Sequence, residues 1–391
     1  MLLNSVGMMG EAVVLGWLTL KLTNSPWLVG VAMSMRALPL FFVGVPAGAL
    51  ADRIPRHRLL MATGAGQALT ATTLGVLTLL GVVELPHVLV LTLTGGVLRG
   101  VEHAARQSYT HDVVGPRELM RGFAVLGVAM RAGWLLGSLG VGAIIARFGS
   151  GAGYLGVAGG YLAGAALLLL ASTPARTTAP RDGSLWQSIG EFLTAVRRDQ
   201  QLLVLIALTA GAEILGFAHQ VLLPSLARDV LHTGPEGLGV LHAARSAGGI
   251  IGLAVAAAAE GTARGTGAVF LLIVGAFGAS LIVLAAAPSW VGFVGVVVVL
   301  TVANAAGALA DLFSQSLLQL SVPAHLRGRA GGAWVLAIGL APVGQLQIGA
   351  LASLFGVSAA LAATGLGLVT MAVGAALLFP RVRRLGSGLE S

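Results

Sequence analysis

Stretches of about 20 apolar residues, the length that crosses a 30 Å hydrocarbon core, recur from one end of the chain to the other between short polar interruptions. Their positions predict twelve membrane-spanning helices, over residues 4–22, 27–51, 59–83, 87–109, 122–146, 153–172, 202–224, 236–259, 266–287, 289–315, 330–354 and 357–379. The tenth is divided from the ninth only by Pro288, Ser289 and Trp290. The first has no basic flank before it and no small-residue cleavage site, so it reads as a retained helix and not as a signal peptide.

Composition agrees with this pattern. Hydrophobic types make up 56% of the 391 residues and charged types 10%, against about 25% charged in ordinary soluble domains. Orientation follows from the arginines. With both termini in the cytoplasm, fifteen arginines fall on the inner side, whereas the outer loops hold only Lys21, Arg147 and Arg228. That bias accounts for the net charge of +8 without a nucleic-acid partner, because the basic residues are spread over short loops and lack interleaved aromatics. Cysteine is absent, which excludes disulfides and thiolate sites. The eight histidines show no paired ligand spacing, so no metal or other cofactor is expected.

The longest polar interruption, 173–201, divides the chain into an N-terminal half, 1–172, and a C-terminal half, 202–379, followed by a cytoplasmic tail, 380–391. Within it Leu185, Ile189, Phe192 and Val196 recur at helical spacing, predicting an amphipathic helix on the cytoplasmic surface. The halves resemble each other. Gln107-Ser108 and Arg121 match Gln315-Ser316 and Arg329; Gly137, Gly142 and Phe148-Gly149 match Gly344, Gly349 and Phe355-Gly356; Gly30 and Arg36 match Gly239 and Arg245. A parallel repeat of six helices is the simplest account, and such repeats permit alternating access to a site near the midplane.

Between the second and third spans stands Gly48-Ala-Leu-Ala-Asp52-Arg53-Ile-Pro55-Arg56-His57-Arg58. This run resembles the cytoplasmic signature of the major facilitator superfamily, and most resembles its macrolide-efflux and enterobactin-exporter-like branch, with Pro55 where the general pattern has glycine. Val322-Pro323 through Arg327-Gly328-Arg329, with Pro342-Val-Gly344, is similar to the entry to span 11 in that branch. The resemblance implies an all-α polytopic fold of twelve transmembrane helices in two six-helix pseudo-symmetric halves. It also implies a conformational latch at Gly48, Asp52, Arg53 and Arg56, for which Asp112 at the inner end of span 4 is a candidate partner. Gly133, Gly137, Gly140 and Gly142 resemble a glycine-rich antiporter motif, but Ser138 stands where that motif has proline, and close helix packing explains the same glycines.

Nine ionised residues fall inside the predicted spans: Glu11, Glu102, Glu213, Asp311, Arg36, Arg99, Arg106, Arg131 and Arg245. At roughly 2.5 to 3.5 kcal/mol each, exposing all of them to lipid would cost on the order of 25 kcal/mol, so they face protein or a water-filled cavity. The four acids lie on spans 1, 4, 7 and 10, which the resemblance makes the cavity-lining helices. Arg99, Glu102, His103 and Arg106 share one face of span 4, so Glu102 can pair with either arginine, which favours a structural role. Glu11, Glu213 and Asp311 have no basic residue within a turn on their own spans and are the proton-coupling candidates. Arg36 and Arg245 are either substrate-anion contacts or partners of the acids. Phe217, Gln220, Asn304 and Gln315 complete the cavity candidates, with span 7 expected to break at Pro224; His103 and His219 read as cavity polar groups and, as lone histidines, are assigned no catalytic role.

Enzyme chemistry is not indicated, since neither Gly-x-Ser-x-Gly nor His-Glu-x-x-His occurs, and there is no Walker A sequence for ATP-driven transport. The reading is a monomeric secondary transporter of the bacterial inner membrane. It would export a small amphipathic molecule, drug-like or siderophore-like, by alternating access coupled to protons. A facilitator or lysolipid flippase without proton coupling, and a non-transporting sensor or scaffold, are the alternatives.

Overall fold

The computed structural model describes residues 1–114, 119–169, 200–258, 266–321, 334, 337–383 and 385; within its helices, the side chains of 41, 44–53, 107, 108, 110–114, 119–124 and 320 are outside the description. Among the described residues the chain is built of helices, with no strand. The predicted amphipathic helix in the linker falls outside the described residues.

The first helices are α1 (Leu2–Thr23), α2 (Pro26–Arg53), α3 (Arg56–Leu79) and α4 (Leu85–Val114). A rod over Leu119–Leu169 is interrupted at Gly149, giving α5 over 119–148 and α6 over 150–169. Helix α7 covers 200–230, and α8 covers Gly234–Ala258. A second rod, Thr266–Leu320, is interrupted at Gly292 and supplies α9 over 266–291 and α10 over 293–320. Helices α11 (Ala341–Phe355), α12 (Val357–Leu378) and the short α13 (Pro380–Arg383) complete the order. Among the described residues, seven stretches, including both rods, are long and apolar enough to cross a membrane.

Three expectations are corrected. The ninth and tenth spans part at Gly292 and not at Pro288, which stays inside the helix. Gly292 has φ 61 and ψ −164, a conformation open essentially to glycine alone, whereas a proline in a membrane helix forfeits one hydrogen bond and can be accommodated. Span 7 does not break at Pro224. The chain stays helical to Val230 by changing its winding, with a π turn at Ala212–Gly216, a 3-10 segment at Phe217–Leu222 and a second π turn at Leu226–Val230 around the missing proline N–H. Span 11 is not one helix over 330–354; a turn at 339–340 precedes α11, whose start carries Pro342, where the absent N–H costs nothing.

The described residues fall into two compact units, Met1–Pro180 with Leu223–Ser246, and Arg181–Leu222 with Ala247–Ser391. These bounds differ from the halves drawn at the linker because the last part of α7 and the first part of α8 pack on α1 and α5. In the first unit a Cβ at Gly16 would lie 2.7 Å from Pro224 Cγ, and one at Gly142 would lie 2.9 Å from Gly239 Cα. Both spacings leave room only for glycine. Also in this unit, α1 lies against the α5–α6 hairpin so closely that a Cβ at Gly137 would overlap the Val6 carbonyl. In the second unit, a Cβ at Gly344 of α11 would overlap the Ile214 carbonyl of α7 in the same way. Gly137 and Gly344 are a repeat-matched pair. So are the hinge glycines, with φ 83 and ψ 173 at Gly149 and φ 87 and ψ 164 at Gly356.

Candidate functional site

The first unit gathers its intramembrane charge around Glu11. Its carboxylate accepts hydrogen bonds from Arg99 Nη2 at 2.9 Å on each oxygen and from the Tyr161 hydroxyl at 2.5 Å. Arg36 Nε lies 3.7 Å from the same carboxylate, while Arg36 Nη2 donates to the Met8 carbonyl at 2.8 Å. Helices α1, α2, α4 and α6 thus converge on one acid. The side chains are 12% exposed for Glu11, 15% for Arg99 and 19% for Arg36, so water screens these charges weakly and the interactions are strong. Two guanidinium groups face one carboxylate, leaving an excess of positive charge. The buried Nε and Nη1 of Arg99 and Nε of Arg36 find no hydrogen-bond acceptor among the described residues. An orphaned buried donor typically costs about 1–3 kcal/mol.

One turn along α4, Glu102 accepts from Arg106 Nη1 at 3.1 Å and from Gln67 Nε2 of α3 at 3.0 Å. Arg106 also reaches His103 Nδ1 at 3.2 Å. This acid, 3% exposed, is held by one cation and one amide and ties α3 to α4. The choice left open by spacing is settled geometrically: Arg106 serves Glu102, and Arg99 crosses to Glu11.

The second unit has a different centre. Glu213 lies in the π turn of α7 and Asp311 on α10, both partly buried; Asp311 accepts from Trp334 Nε1 at 3.1 Å. Fully buried His219 faces Asn304, with Nε2 3.3 Å from the amide nitrogen, and its Nδ1 lies 2.7 Å from the Gly216 carbonyl. Phe217 tilts against Phe277 with centroids 5.2 Å apart. Gln220 and Gln315 are partly buried here, as Arg245 and Arg131 are in the first unit, where Arg131 sits 5.9 Å over the Trp134 ring.

Of the latch residues, Arg56 is buried at the start of α3. The side chains of Asp52, Arg53 and Asp112, and position 48 with them, lie outside the described side chains. Four participants escaped the sequence reading: Tyr161, Gln67, Trp334 and the His219–Asn304 pairing. For His219 a signal existed, because the repeat offset of 207 to 209 lays it on Glu11, 208 residues earlier.

The sequence model of the Major Facilitator Superfamily matches residues 1–344. The chain belongs to that superfamily. Among its relatives, the enterobactin exporter EntS of Citrobacter koseri is 26% identical over 382 residues, covering 97% of this chain and 89% of its own. EntS of Salmonella typhimurium is 25% identical, with 97% and 90% covered. A solved structure from a study of substrate recognition in proton dependent oligopeptide transporters matches with a TM-score of 0.78 at 15% identity, covering 98% of this chain and 97% of that one. The inward-facing, unoccupied bacterial homologue of the human lysosomal transporter Spinster matches at 0.73 and 14% identity, with 98% and 95% covered. Superfamily membership makes the chain an integral membrane transporter with a helical fold, and not an enzyme.

Proposed function

We propose that the chain is a secondary active exporter of a small amphipathic molecule bearing an acidic group, with the Glu11–Arg36–Arg99–Tyr161 cluster as the recognition centre. The observation that carries this reading is the charge excess at that cluster together with three buried guanidinium nitrogens that find no acceptor among the described residues. A carboxylate or similar anion would complete both the charge balance and the hydrogen bonding. The EntS relatives are named as exporters of enterobactin, which supports outward transport of a siderophore-like metabolite from the inner membrane, with both termini cytoplasmic and the chain acting as a monomer.

Coupling to protons is assigned to the partly buried carboxylates of the second unit. Glu11 and Glu102 are held by arginines of the first unit. Glu213, in the π turn of α7, and Asp311, on α10, are partly buried acids of the second unit. Of the three acids proposed as proton carriers, these two keep the role, while Glu11 serves the recognition centre. The latch at Gly48, Asp52, Arg53, Arg56 and Asp112 would set which side is open.

The test uses three probes of one shape: 1-naphthoate, its neutral amide and the cationic 1-naphthylmethylammonium. The purified protein is expected to bind the anion at least about tenfold more tightly than the amide, a difference of about 1.4 kcal/mol. Arg99→Gln is expected to remove that preference. Equal binding of all three probes, or a preference untouched by Arg99→Gln, would refute the assignment. Transport that only equilibrates the anion, whatever the pH gradient, would make the protein a facilitator.

A further inference from the structure

Within the described residues 200–222, 247–258, 266–321 and 337–378 of the second unit, the ionisable side chains reduce to Glu213, His219 and Asp311. Helices α9, α11 and α12 contribute none, and α10 contributes only Asp311. His219 is the deepest of the three, with 0% exposure. Two polar contacts are described for its ring nitrogens. Nδ1–H donates to the Gly216 carbonyl at 2.7 Å, which leaves Nε2 as an acceptor facing the Asn304 amide nitrogen at 3.3 Å. That nitrogen donates in addition to the Leu300 carbonyl at 2.9 Å. The ring meets Phe277 edge-on, with centroids 6.2 Å apart.

A proton arriving at Nε2 turns this acceptor into a donor opposed to a donor. The contact is restored if the Asn304 amide rotates to present Oδ1, and that rotation gives up the bond to Leu300. An asparagine is suited to this because it offers either polarity from one side chain. The segment that carries the ring is also irregular. The π turn at Ala212–Gly216 ends on the residue whose carbonyl holds Nδ1, and the 3-10 segment Phe217–Leu222 contains the ring itself. Such winding defects concentrate at functional hinges. A change at His219 is therefore felt by α7 at a point of weak regularity, and by α10 two turns before Asp311. The repeat offset adds an independent indication, since it places His219 where the first unit has Glu11 at the centre of its own polar cluster.

We propose that His219 is a proton-coupling residue, its Nε2 taking up one proton per transport cycle and returning it on the other side, with Asn304 as the group that reads its state. The proposal rests on the proton-coupled reading given above and assigns a carrier that the carboxylates alone do not provide, because imidazole changes charge between about pH 5 and 8.

His219→Gln, which keeps a neutral amide in place of the ring, and Asn304→Asp, which sets a carboxylate against it, are compared with the parent. Intrinsic tryptophan fluorescence of the purified protein is titrated from pH 5 to 8 without substrate, and 1-naphthoate uptake is measured in proteoliposomes under an imposed pH gradient. The parent is expected to show a transition and uphill uptake. His219→Gln should lose both while retaining naphthoate exchange at equal pH within about twofold, and Asn304→Asp should raise the midpoint by a unit or more, since an opposite charge favours the imidazolium. A His219→Gln protein that keeps the parent's transition and uphill uptake would overturn the assignment while leaving proton coupling intact. If His219→Gln loses exchange as well, Asn304→Asp decides, and an unmoved midpoint overturns the proposal. A parent that shows no response to the gradient removes proton coupling and this role together.

Discussion

Replacing Arg99 with methionine removes the guanidinium that donates twice, at 2.9 Å, to Glu11. The acid then keeps the Tyr161 hydroxyl at 2.5 Å and the more distant Arg36 at 3.7 Å. With side-chain exposures of 15% and 12% for the pair, the surface value of under about 1 kcal/mol does not apply. Stranding one member of a buried pair costs about 3–5 kcal/mol. Glu11→Gln is expected to cost a similar amount, because it leaves Arg36 and Arg99 facing each other without a counter-charge. The double variant removes both causes, so its loss should fall short of the sum by roughly 2–3 kcal/mol. Unfolding of the purified protein by denaturant in detergent, followed by tryptophan fluorescence, gives the four stabilities of the cycle. Single losses below about 1 kcal/mol, or a double loss equal to the sum within about 0.5 kcal/mol, would show that water reaches these charges and would refute the buried cluster.

Other expectations follow from the same geometry. Gly137→Ala and Gly344→Ala should each destabilise the protein by about 1–3 kcal/mol or more, because the added methyl meets a backbone carbonyl, whereas Gly140→Ala, with nothing within 4 Å of its Cβ, should be neutral in the same melting assay. Asp52→Asn should insert normally yet impair turnover at least about tenfold in vesicle uptake, as expected of a group that biases two states; unchanged uptake would remove the latch. Reporter domains fused at the α5–α6 turn by Gly149 and after Ser391 should report opposite sides of the membrane, and a shared side would refute the topology.

The helices were legible because span length and apolar content are set by the bilayer, and each needs only local sequence. Their interruptions were less so. Pro288 and Pro224 read as breaks, but a single missing N–H is absorbed inside a packed helix, while Gly149, Gly292 and Gly356 turn the chain because φ of 83, 61 and 87 with ψ of 173, −164 and 164 is open essentially to glycine alone. Charge pairing showed the same division. Arg106 and Glu102 lie four residues apart on one helix, a relation visible in sequence. Glu11 has no such neighbour, and its partners Arg99 and Tyr161 come from 88 and 150 residues away. Spacing along a single span could not find them, and so made Glu11 look like an isolated acid. His219 reads from the sequence as a lone polar group of the cavity, although the repeat that matches Arg36 to Arg245 also lays it on Glu11.

Proton-driven accumulation of an acidic amphipath is the central claim, and one flux measurement tests it most directly. Proteoliposomes with the cytoplasmic face outward are given a lumen two pH units more acidic than the bath, a driving force that supports up to about a hundredfold gradient for one-to-one exchange at 1.4 kcal/mol per decade. The parent should concentrate 1-naphthoate in the lumen well above the bath, and the Glu213→Gln/Asp311→Asn double variant should stop near equality. A parent that stops at equality with and without the gradient would contradict the account.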